Sequence, residues 1–191
     1  DWATTLKLIG QINSRLLDQQ QLTIYGVIYS RTYIALNQPN PALDWLEANN
    51  NIVTSNPELL RLQSQAYKKV LQPIAAAKTL SQLLTISTNE EDTFQYSDQI
   101  WDTLIQISSS RLESAFATET ENSNFAGWLS LTLLAKDSTI TLVQTKQKVM
   151  LWQSAWPEHS ANTTPPSGLL QLMSITAPEK VAVLIPLSGR L

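Results

Sequence analysis

Cysteine is absent from the 191 residues and histidine occurs once, at His159. Zinc fingers, iron–sulfur clusters, thiol catalysis and disulfide scaffolds are thereby excluded, and a metal would have to sit on carboxylates alone. Glycine is scarce. Gly10, Gly26, Gly127, Gly168 and Gly189 are too scattered to form a loop whose backbone cradles a phosphate, so no nucleotide or other cofactor is expected. Charge is sparse as well: Asp, Glu, Lys and Arg make up 15%, and 13 basic against 16 acidic residues leave a formal charge of −3. Such a chain has no electrostatic hold on a polyanion, and nucleic acid is not expected as a partner. No apolar run nears the roughly 18 to 20 residues that cross a bilayer. The chain opens at Asp1 without a methionine or a signal-like segment, so it is expected to be part of something longer.

What remains is a chain with 43% hydrophobic residues, enough to bury a core. Ser, Thr, Gln and Asn number 19, 19, 16 and 11, so neutral polar groups are expected to coat the surface. From Thr4 to about Trp156 apolar residues recur three and four apart, as in Leu22, Tyr25, Tyr29, Tyr33 and Leu36, or Leu59, Leu62, Ala66 and Val70. That spacing predicts amphipathic helices. Breaks fall at residues 38–41, 49–51, 55–57, 72–73 and 89–92, each carrying proline or a helix-capping side chain. Later helices are predicted over 94–107, 124–135 and 139–156, the last stopped by Pro157. A loop is expected over 162–167, and Val181 to Ile185 is the one β-branched run of strand length. The expected fold class is all-α, ending in the first strand of a truncated α/β domain.

Sliding the sequence against itself gives a match at an offset of 34 between residues 30–46 (SRTYIALNQPNPALDWL) and 64–80 (SQAYKKVLQPIAAAKTL). Paired positions are Ser30/Ser64, Tyr33/Tyr67, Gln38/Gln72, Pro39/Pro73, Ala42/Ala76 and Leu46/Leu80. The period and the small, tyrosine, alanine and large-apolar positions resemble tetratricopeptide repeats. Small residues where paired helices cross let the axes approach to about 8 to 10 Å. The tyrosines are expected to fill the gap to the neighbouring helix. The units would be 23–56 and 57–90, with Asn56 capping and Pro57 opening the second. A third, 91–124, has Phe94 and Trp101 at aromatic positions but Ser110 and Ser114 where Ala and a large apolar residue belong. In this register Arg31, Glu58, Arg61, Gln65, Lys68 and Lys69 turn to one inner face, a candidate groove for an acidic or carboxylate-bearing peptide.

The terminal VAVLIPLSGRL, Val181 to Leu191, resembles the opening strand of type I periplasmic solute-binding folds. Helical repeats leading into such a strand resemble the LpoA-type outer-membrane lipoproteins, which activate a class A penicillin-binding protein. That resemblance implies a helical domain at 1–156, a connection at 157–180, and a first strand at 181–191 of a further α/β domain. It also implies a lipid anchor on a cysteine outside this sequence, a location on the periplasmic side of the outer membrane, and a non-catalytic role as spacer and interaction surface. The implied partner is the peptidoglycan synthase, with peptide or peptidoglycan as further contacts.

Two other readings use the same parts. Residues 168–177, GLLQLMSITA, resemble a segment of lytic transglycosylases, helical enzymes that cut peptidoglycan with one protonated glutamate placed on the order of fifteen residues earlier. Position 153 is Gln153, and the nearest carboxylate, Glu158, is too close and is followed by His159. The chain is alternatively the extension of a small-molecule receptor. His159 is read as a loop histidine, Glu90, Glu91 and Asp92 as a cap stabilising a helix start, and most of Trp2, Trp45, Trp101, Trp128, Trp152 and Trp156 as core.

Overall fold

The computed structural model describes residues 1–120 and 122–176, and all regular elements among them are helical. They are α1 (Trp2–Ile9), a 3-10 turn (Ser14–Leu16), α2 (Gln19–Ala35), α3 (Pro39–Ala48), α4 (Asn50–Val53), α5 (Pro57–Lys69) and α6 (Pro73–Ile86). Then follow α7 (Glu90–Ile105), α8 (Ser109–Thr118), α9 (Asn124–Ala135), α10 (Leu142–Ala155), α11 (Ser160–Thr163) and α12 (Ser167–Ser174). The strand expected at 181–191 lies outside the described residues.

Local chemistry sets the boundaries. Pro39, Pro57 and Pro73 each stand at the first helical position, where a missing N–H costs nothing and the fixed φ suits the helix. The Asn56 side chain accepts the Leu59 N–H at 3.0 Å, the cap expected for the second unit. Glu90, Glu91 and Asp92 occupy the first turn of α7, behind Asn89 as cap. The helix expected from 139 begins at Leu142 because the Thr141 hydroxyl and the Gln144 side chain close a capping box. Serines and threonines within helices bond back to the carbonyl one turn earlier, as Thr32 to Ile28, Thr79 to Ala75 and Thr132 to Trp128 do.

Helices α2/α3 and α5/α6 are antiparallel pairs, and α5 packs on both members of the first pair. Positions 34 apart match in burial. Ala42, Ala76 and Leu46 are fully buried, Leu80 almost so, and Ser30 and Ser64 lie buried where the helices meet. The Ser64 hydroxyl reaches the Ala76 carbonyl at 3.2 Å, whereas that of Ser30 is buried without a partner. Tyr33 and Tyr67 are half-buried. Tyr67 donates to Glu47 of α3 at 2.8 Å, and burial together with that bond pushes its phenol up to about 12. Tyr33 packs against Tyr29, ring centroids 4.7 Å apart.

The repeat extends to backbone conformation. Asn37 and Leu71, 34 apart, both adopt the left-handed region (φ 58° and 59°), and the following Gln38 and Gln72 donate to Tyr33 and Tyr67 carbonyls at 2.9 Å. Leu71 is 85% exposed, so its side chain gains no packing in return for that strained conformation. Leu71→Gly is expected to stabilise the fold by about 1 kcal/mol in chemical denaturation.

The third unit keeps two helices, α7 and α8, but α8 packs chiefly on α9 instead of folding back on α7. Trp101, which overlays Tyr67, is buried, but Ser110 and Ser114 are exposed and Leu112 fills the inward position instead. Residues 157–180, expected as a connection, hold two short helices up to Ser174. The expected loop at 162–167 shortens accordingly, because α11 runs to Thr163 and α12 starts at Ser167. Helix α12 docks on α7: Asp98 accepts the Ser167 N–H at 2.6 Å and its hydroxyl at 3.0 Å, supplying a cap from a different helix. Gly168 lies so close to Trp101 that an added Cβ would fall 2.3 Å from the indole nitrogen.

Candidate functional site

Helices α2, α5 and α7 share one polar side. Arg31 of α2 and Arg61 of α5 both grip Glu58, at 2.5 and 2.7 Å. Burial pushes the Glu58 carboxyl up, but the two guanidiniums outweigh it and hold the carboxyl below its ordinary value. Two cations on one anion leave the cluster with a net positive charge. Gln65, half-buried, lies one turn from both Arg61 and Lys68. Lys68 reaches forward to Gln99 of α7 at 2.7 Å. Lys69, about 100° further round the helix, points back to Asn37 in the α2–α3 turn at 3.0 Å. Five of the six expected groove residues thus form one row, and the sixth flanks it.

Beyond Gln99 the row runs into a cleft of about 550 Å³ lined by Asp102, Thr103, Gln106 and Arg111 together with Pro73. Sequence reasoning did not reach these groups or Tyr96, whose phenol faces Arg61 and Asp92. One signal was available: a further step of 34 from Arg31 and Gln65 lands on Gln99. The row offers guanidinium and ammonium donors beside amide groups, which suits recognition of carboxylates and peptide backbone.

His159 stands in the turn between α10 and α11, as expected of a loop histidine, but its ring is enclosed in the core. It is 4% exposed, with its ring edge-on to Trp128 and Trp152 at 5.4 and 4.9 Å. Its Nε2 is 2.7 Å from the Asn124 carbonyl and its Nδ1 accepts the Ala161 N–H at 3.0 Å, which fixes one neutral tautomer. Burial pushes its pKa down, partly opposed by the bond to Asn124. The folded state therefore favours the neutral ring. Its stabilising effect is full above the unfolded value of about 6.5 and is lost as pH falls towards the lowered folded value. The melting temperature is expected to drop on acidification below about pH 6.5, and His159→Gln should flatten that part of the profile.

Glu158 is exposed, and α12, which contains most of the transglycosylase-like segment, is a packing element on α7 with Leu169 buried. Trp101, Trp128 and Trp152 are buried, Trp45 and Trp156 are half-buried, and Trp2 is 44% exposed. No group of three or more metal-ligating side chains occurs among the described residues. No described helix is long and apolar enough to cross a membrane.

Stacked antiparallel helix pairs with one polar, charged side define a helical-repeat scaffold of the tetratricopeptide kind. The chain belongs to the family described as "LppC putative lipoprotein", which it matches over residues 1–191. It is 26% identical over 191 residues to the penicillin-binding protein activator LpoA of Edwardsiella ictaluri, covering 96% of this chain and 27% of that protein. It is 27% identical over 195 residues to the activator of the same name from Haemophilus influenzae, covering 98% of this chain and 32% of the relative. Solved structures agree in fold. Full-length Haemophilus influenzae LpoA superposes with a TM-score of 0.72 at 22% identity, over 92% of this chain and 32% of that one. The separately solved amino-terminal domain gives 0.70 at 22%, over 90% and 79%. The chain thus spans about a third or less of the full-length relatives.

Proposed function

We propose that this chain is the non-catalytic helical spacer and protein-interaction domain of an outer-membrane lipoprotein that activates a class A penicillin-binding protein. The parent protein is lipid-anchored and faces the periplasm, and the synthase is its partner. The observation that carries an interaction role is the row from Arg31 through Glu58, Arg61, Gln65 and Lys68 to Gln99: three helices present it on one side, and its net positive cluster suits an acidic or carboxylate-bearing segment. Lys69 flanks the same face. Support for the synthase as partner comes from the relatives, which are named as penicillin-binding protein activators.

The test uses the full-length protein in a glycan-polymerisation assay with a purified class A synthase. Addition should raise the rate, and Arg61→Glu combined with Lys68→Glu should cut that stimulation about tenfold or more, as expected when charges at a contact are reversed. An unchanged rate on addition sinks the activator reading. Full stimulation by the doubly reversed variant moves the contact away from this face. Purified peptidoglycan should stay intact on incubation with the protein, whereas release of anhydro-muropeptides that disappears in Glu158→Gln would establish the enzyme reading instead.

A further inference from the structure

At the far end of the helical body, Trp156 stands half-exposed where α10 ends. One face of its ring stacks on Trp152, centroids 6.1 Å apart and 17° from parallel, and His159 meets it edge-on at 5.7 Å. The indole is therefore held rigidly. Two open clefts, of about 330 and 360 Å³, meet at Trp156 and Asn122. The first is bounded by Asn124, Pro157 and Glu158, the second by Phe116, Ala117 and Ala126 with Glu119 at its side. Asn122, exposed and in the left-handed region (φ 63°), sits between the two.

The chemistry of this corner is selective. Among the described residues neither cleft is lined by a lysine or arginine, and Glu158 stands at the rim, so an anionic ligand is disfavoured. The Glu119 carboxylate is already paired with Lys78 at 2.6 Å, which leaves Glu158 as the acidic group at the rim. What remains is a rigid aromatic face, amide and carboxylate groups able to take hydroxyl or amide hydrogens, and a small apolar wall of Phe116, Ala117 and Ala126. That set matches a flat, neutral, polyhydroxylated ring with one methyl-bearing substituent. The end of α12 lies elsewhere: Lys146, ten residues or about 15 Å before Trp156, holds the carbonyls of Met173 and Ile175.

We propose that the paired clefts at Trp156 are a binding site for a neutral N-acetylated glycan chain, with adjacent sugar rings in the two clefts that meet at the indole. The sugar chain places the apolar methyl of one N-acetyl group against Phe116 and Ala126, and Asn122 binds at the junction between rings. The clefts themselves require only a neutral sugar with an apolar face. The N-acetylated class rests on the proposed place of the protein beside peptidoglycan synthesis.

The probe is the β-1,4-linked tetramer of N-acetylglucosamine, titrated into the 191-residue chain by calorimetry and by two-dimensional NMR of the indole N–H groups. Saturable binding is expected, with the Trp156 signal shifting most and that of Trp45 unmoved. Asn122→Gly removes the exposed side chain at a left-handed φ that glycine adopts freely and should weaken binding about fivefold, the loss of one hydrogen bond. Trp156→Phe retains an aromatic ring in the fold, checked by its melting curve, and should weaken it at least as much. The site is overturned by the absence of heat and shift, by shifts centred elsewhere, by unchanged affinity in both variants, or by displacement of the sugar by oligolysine. Binding is read without any synthase, so a negative result removes this site and leaves the stimulation assay to judge the activator reading separately.

Discussion

Trp128→Ala is expected to lower the folding free energy by about 3 to 5 kcal/mol. Trp128 is the largest of the completely buried side chains, set in the middle of α9. Its Nε1 donates to the Ser160 hydroxyl at 3.1 Å, and that hydroxyl donates in turn to the Asn124 side chain at 3.1 Å. Truncation would open a cavity beside His159 and leave the Ser160 oxygen without a donor, so the transfer and cavity costs act together with a lost polar contact. Trp128→Phe should recover most of the loss, because it restores volume and not the hydrogen bond. Denaturant titration of both variants checks the ordering, and a loss below about 1 kcal/mol in the alanine variant would contradict the enclosure of Trp128 beside His159 and Ser160.

Ala42→Leu and Ala76→Leu are each expected to cost about 1 to 3 kcal/mol, because the added atoms must enter the crossing between paired helices. Both alanines have no exposed surface, and the Ala76 carbonyl already receives the Ser64 hydroxyl. Ala48→Leu, at an exposed position near the end of α3, is the control and should leave the melting curve nearly unchanged. Equal behaviour of all three would break the equivalence of the two units.

These positions also show why part of the fold was legible in the sequence. Proline at the start of α3, α5 and α6, and alanine, leucine and serine 34 apart, act through backbone geometry and side-chain size, which are properties of single residues. The register of α7/α8 was not legible past Trp101, because Leu112 in place of residues 110 and 114 is a choice made by tertiary packing. The same holds at the carboxy-terminal side. Asp98 caps α12 from 69 residues away, and His159 is enclosed by three tryptophans from two helices and the turn after them. A lone histidine after Pro157-Glu158 carries no local mark of such enclosure. The charged row was legible on α2 and α5, where the repeat fixes the face. Its continuation through Gln99 and Asp102 belongs to a helix whose register the repeat no longer dictated.

The serines and threonines that bond back along their own helices have a bearing on ionic strength. Four ion pairs occur among the described residues, all with a substantially exposed lysine or arginine. Exposed pairs contribute little and are screened by salt. Neutral hydroxyls bonded to carbonyls are indifferent to screening, and apolar burial strengthens where salts are excluded from the surface. The folded body should therefore keep its shape from dilute buffer to concentrated salt, while the Arg31–Glu58–Arg61 cluster weakens its pull on a charged partner over the same range. Architecture and attraction are thus governed by different solution variables.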